Sequence, residues 1–96
     1  MFDDISQVPS LVNGSDLGLS AAIQTASPAR ALELASQIHS GMIHINDVTV
    51  NHDAHAPFGG VGASGHGGRF GGDANFDEFT EWQWITLSDS ATTFPF

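Results

Sequence analysis

The chain has 96 residues, which suits one small domain or a piece of a larger one and allows only a modest core. Its formal net charge is −9, with Arg30 and Arg69 the only fixed cations and no lysine, which argues against nucleic acid and anionic membrane surfaces as partners. It has no cysteine, so a disulfide framework, Cys-ligated zinc and a catalytic thiol are all excluded.

No apolar run approaches the roughly 18 residues a membrane span needs. Met1 to Ser10 carries acids and no basic region, which does not describe a signal peptide. The expected location is the cytoplasm. Pro9 interrupts any early periodicity, and Asn13-Gly14-Ser15 reads as a turn. Leu17 to Thr25 is a short apolar run with small residues; it suits a buried strand, although a helical segment has the same pattern.

The clearest element follows. Ser27 is a good N-cap and Pro28 a good first helical residue. Ala31, Leu32, Leu34, Ala35 and Ile38 form an apolar stripe at helical spacing, and Gly41 offers a left-handed stop. A helix over Pro28 to Ser40 is therefore predicted. Met42 to Asn46 reads as a strand covered on both faces, which predicts a parallel strand-helix-strand unit.

Asp47 to Gly72 holds most of the glycines and has no sustained period. With few apolar anchors it is expected to be mobile in the isolated chain. Asn75 to Phe79 suits a helical turn. Thr80 to Leu87 alternates, with Trp82 and Trp84 on one face, which predicts a strand. A tail ending in Phe94-Pro95-Phe96 completes the chain.

Candidate chemistry is sparse. Gly60-Val61-Gly62-Ala63-Ser64-Gly65 matches the dinucleotide fingerprint, but that motif works between a strand and a helix N-terminus, and no helix is predicted after it. A structural glycine loop is the favoured reading. Ser64 lacks the glycine spacing of a nucleophile elbow. His52, Asp53 and His55 could contribute to a metal site, but the spacing matches no ligand motif. His44 reads as a core-strand histidine. The two tryptophans suit a core or a subunit contact better than a stacked ligand.

Taken in order, the segments resemble NAD(P)-dependent aldehyde dehydrogenases, especially those acting on aromatic aldehydes such as benzaldehyde or vanillin. Asn13 to Ala21 resembles a stretch of that family, with Leu17 where it usually has tyrosine. Arg30-Ala31-Leu32 and Gly41 to Asn46 resemble its helix, glycine stop and strand ending in asparagine. Pro57-Phe58-Gly59-Gly60, then Ser64-Gly65, is the most specific match, and Arg69-Phe70-Gly71-Gly72 continues it. Phe79 to Thr86 resembles the closing strand.

The resemblance implies an α/β fold: the C-terminal part of a catalytic domain over residues 13–79, then an oligomerisation strand and tail over 80–96. Residues 1–12 match poorly, which suggests a truncation, a gene-model error or a degenerate gene. By resemblance, Phe58 walls the substrate tunnel, while Val50, Asn51 and His52 lie on the loop shaping its mouth. The family's nucleophilic Cys, general-base Glu, cofactor loop and cofactor-binding Lys would lie upstream. The chain itself is therefore expected to hold no catalytic residue, cofactor or metal, and to be inactive alone. NAD or NADP would bind the complete enzyme. Thr80 to Leu87 would mediate self-association or binding to a full-length homologue. The alternatives are a docking module for such a homologue, or a small-ligand or metal-binding protein.

Overall fold

The computed structural model describes residues 1–95; Phe96, at the end of the tail, lies outside the described residues. The helical pieces are a 3-10 turn at Ile5–Gln7, α1 at Val8–Val12, α2 at Pro28–Ala35 and α3 at Ala74–Phe79. The strands are β1 at Leu17–Gly18, β2 at Ser20–Ile23, β3 at Met42–Ile45 and β4 at Val61–Gly62.

The α/β unit expected from the sequence is present. β2 and β3 run parallel in the register Ser20–Met42 to Ile23–Ile45, with α2 as the connection. The ladder is extended by the amides of Met42 and Asn46, which donate to the carbonyls of Leu19 and Ile23. A second, antiparallel pair joins β1 to β4, with Leu17 opposite Gly62 and Gly18 opposite Val61.

α2 begins at Pro28 as its sequence dictates, with Ser27 in the N-cap position, but the Ser27 hydroxyl makes no capping hydrogen bond. The helix also ends earlier than its apolar stripe suggests. It stops at Ala35, and the chain tightens through Gln37 to Leu34 and Ile38 to Ala35 bonds. The stop comes from a distant side chain. Asn13 donates its amide to the Gln37 carbonyl at 2.8 Å and accepts from the His39 amide at 2.8 Å. Gly41 is not a left-handed terminator, since the positive-φ glycines are 62, 67, 71 and 72. It serves a close approach instead: a Cβ there would fall 1.8 Å from the Gly59 carbonyl oxygen.

Little is buried. Among the described residues the buried apolar side chains are Ala31 and Ile38. β3 is half-buried along its length and not covered on both faces. The radius of gyration is 21.2 Å, against about 12 Å for a closed domain of this length. The accessible surface is 7943 Å², where a compact chain of this mass exposes roughly 5,300 Å².

The expected closing strand is not formed. Thr80 to Leu87 has no regular structure and no ladder partner among the described residues, and Trp82, Trp84, Ile85 and Leu87 are all exposed. The alternation is there, but a strand exists only when another strand takes its amides and carbonyls. No helix among the described residues is long and apolar enough to cross a membrane.

Candidate functional site

The glycine-rich segment is more ordered by contacts than its composition suggests. Phe58 and Phe70 pair across an antiparallel bridge, with their amides and carbonyls exchanged at 2.7 and 3.1 Å. Their rings lie 5.0 Å apart. β4 ties the middle of the segment to β1. The Ser64 hydroxyl accepts from the Gly18 amide at 3.0 Å, which makes Ser64 a structural tie. Arg69 donates to the carbonyls of Gly60, Gly67 and Gly68.

This scaffold seats Phe58 on one side of an open cleft of about 350 Å³. Gly41 and the start of β3, Met42 to His44, also line it. Asn51, His52 and Asp53 belong to the lining as well. The His52 ring meets Phe58 edge-on, with centroids 5.3 Å apart. Of the sequence-derived pocket residues, Phe58 and Asn51 line the same cleft, as does His52. Val50 stands 85% exposed and is not part of the lining. The start of β3 lines the cleft without a local sequence signal, because nothing local says which face of a strand a distant loop will cover.

Electrostatics order the cleft rim. The Asp47 carboxylate accepts from the Val48 amide at 2.8 Å and from the Asn51 side chain, which ties Asn51 to Asp47 beside the cleft. These bonds, the Val48 amide first, hold its pKa below the ordinary carboxylate value. Asp53 is lowered likewise, by the His55 amide and then the His55 ring. His44 is different. Its Nε2 is buried and has no hydrogen-bond partner among the described residues. Such atoms are rare in complete folds, where buried polar groups find partners.

The fingerprint-like glycines form no phosphate cradle. The Ala63 and Ser64 amides are taken by the carbonyls of Asp16 and Val61. The loop closes on itself, since a Cβ on Gly65 would fall 2.4 Å from the Gly60 oxygen. No helix follows until Ala74. The loop therefore does not fit a dinucleotide's pyrophosphate, whose binding needs free amides at a helix start. Among the described residues, no three His, Cys, Asp or Glu side chains gather for a metal ion. His52 faces Phe58, while His55 and Asp53 form an exposed pair at 3.2 Å.

Residues 1–85 match the aldehyde dehydrogenase family. The chain belongs to that family. It is 47% identical over 96 residues to a benzaldehyde dehydrogenase [NAD(+)] of Pseudomonas putida, covering 100% of this chain and 20% of the relative. It is also 47% identical to a vanillin dehydrogenase of an Amycolatopsis strain, covering 99% of this chain and 20% of that protein. Among solved structures, a salicylaldehyde dehydrogenase from Pseudomonas putida G7 superposes with a TM-score of 0.82 at 38% identity. That match covers 95% of this chain and 19% of the other. This aldehyde dehydrogenase chain thus spans about a fifth of the length of the relatives it matches.

Proposed function

We propose that this chain is the C-terminal part of an aldehyde dehydrogenase that oxidises aromatic aldehydes to carboxylic acids with NAD or NADP. In that assembly it supplies one wall of the substrate cleft and a subunit-contact tail. The observation that carries the reading is the seating of Phe58 in an open cleft, within a chain so similar to dehydrogenases named for benzaldehyde and vanillin. The NAD(+) in the name of the Pseudomonas putida relative supports the nicotinamide cofactor. The cytoplasm is the proposed location.

The residues define a limited role. Aldehyde oxidation in this family proceeds through a thioester, which needs a thiolate, and the chain has no cysteine. Phe58 offers a π-face to an aromatic ring, a contact of about 0.5–1.5 kcal/mol beyond simple burial. Asn51 and His52 offer polar atoms to ring substituents, with Val50 on the same loop. The incomplete burial supports a larger whole. The half-covered β3, the unpartnered His44 Nε2 and the exposed tail would each meet further polypeptide.

A chimera tests this. Residues 13–96 replace the corresponding C-terminal fifth of the Pseudomonas putida benzaldehyde dehydrogenase. The chimera should oxidise benzaldehyde, and Phe58→Ala within it should raise KM, while the 96-residue chain alone should produce no reduced nicotinamide cofactor. A chimera that folds and assembles yet shows no turnover would refute the proposal.

A further inference from the structure

Arg69 is one of two fixed cations in a chain of net charge −9, yet its observed hydrogen bonds go to backbone carbonyls. One guanidinium nitrogen donates to the carbonyls of Gly60 at 3.2 Å, Gly68 at 2.9 Å and Gly67 at 3.4 Å. Its stem lies against Gly59, where a Cβ would fall 2.6 Å from the Arg69 Cδ. Gly59 is also the residue whose carbonyl abuts Gly41 at the entry to β3. The Gly59-Gly60 backbone is therefore held by β3 and by Arg69 together. Phe58 immediately precedes it, and Phe70, which pairs with Phe58, immediately follows Arg69.

We propose that Arg69 is a positioning residue for Phe58. It gathers the carbonyls of a loop that leaves at Phe58 and returns at Phe70, and so fixes the angle at which the Phe58 ring faces the cleft. The segment between the two phenylalanines is mostly glycine and small residues, with Val61 its one large aliphatic side chain, so apolar packing cannot supply that order. The Arg69 side chain can, because its Nη1, with two N–H donors, lies within hydrogen-bond reach of three carbonyls of the loop. The importance of Phe58 for substrate rests on the function proposed above; the coupling of Arg69 to Phe58 does not.

The test uses the whole 96-residue chain, labelled for NMR, as wild type, Arg69→Gln and Arg69→Lys. Exchange is read at the Phe58 and Phe70 amides, and the His52 ring shift reports the Phe58 ring angle. The Met42 and Asn46 amides serve as the fold control, since they extend the β2–β3 ladder. Arg69→Gln should speed exchange at Phe58 and Phe70 on the order of tenfold and move the His52 ring signals, with the controls unchanged. Arg69→Lys should fall between. Guanidinium chloride at low millimolar concentration should restore part of the lost protection in Arg69→Gln.

Unchanged protection at Phe58 and Phe70 in Arg69→Gln overturns the proposal. So does a parallel loss at Met42 and Asn46 in both variants, which would make Arg69 a general stabiliser. Kinetics of the chimera separate the two readings. Phe58→Ala in the chimera that leaves KM for benzaldehyde unchanged removes the substrate role of the cleft, and with it the functional purpose of Arg69. The exchange data would still report whether Arg69 holds Phe58. A raised KM in that chimera, together with faster exchange at Phe58 and Phe70 in Arg69→Gln, supports both.

Discussion

Replacing Gly41 by alanine would push a methyl group into the backbone that carries the candidate site. The added Cβ would fall 1.8 Å from the Gly59 oxygen, 2.8 Å from its carbonyl carbon and 3.0 Å from the Gly60 Cα. Ordinary contact begins near 3.4 Å, so the two segments must separate by about 1.6 Å. None of the three atoms belongs to a side chain that could rotate away. Overpacking a close contact typically costs 1–3 kcal/mol, and an all-backbone clash belongs at the top of that range, about 3 kcal/mol. That corresponds to a roughly hundredfold increase in local opening. Native-state amide exchange at Gly41 and Met42, which donate to Gly18 and Leu19, and at Phe58 reads it directly. Gly14→Ala is the control, because its nearest atom is a turn carbonyl at 3.3 Å and its change should stay within about 0.5 kcal/mol. Protection in Gly41→Ala within twofold of wild type would show that β3 and the Gly59-Gly60 segment do not meet as described.

Ile38→Asp should abolish the cooperative thermal transition. Ile38 is one of two buried apolar residues among those described; its replacement loses about 1.5–3 kcal/mol of burial and leaves an unpaired carboxylate, so an unchanged melt followed by circular dichroism would refute its placement. Acid should loosen the rim of the cleft: the folded pKa of Asp53 is lowered, so the order it contributes is present above the unfolded value and is lost as pH falls through the depressed one. The Asp53 carboxyl and His55 amide shifts should titrate together below the ordinary carboxylate range, and independent titration would break the link. Finally, the exposed Trp82, Trp84, Ile85 and Leu87 should drive self-association or docking onto a full-length homologue, with the tail becoming a strand on pairing. Light scattering should show larger species for wild type than for Gln83→Pro, and a chain that stays monomeric at high concentration, alone and when mixed with a full-length homologue, would remove the tail from the subunit contact.

Much of the α/β unit is legible in the sequence because its determinants are local. Ser27-Pro28 starts a helix wherever it sits, β-branched residues at 43 and 45 favour a strand, and a short strand-helix-strand order favours parallel pairing. The motif from Pro57 to Gly72 marks the family through residue identity alone. What the sequence left undecided depends on partners far along the chain. α2 ends at Ala35 and not Ser40 because the Asn13 side chain, 24 residues before Gln37, takes up the turn beyond it. Gly41 is glycine for the sake of Gly59, and Ser64 and Arg69 order a loop whose composition suggests none. Thr80 to Leu87 shows the same rule from the other side: its alternation makes it able to be a strand, but pairing needs a second edge, and none of the described residues supplies one.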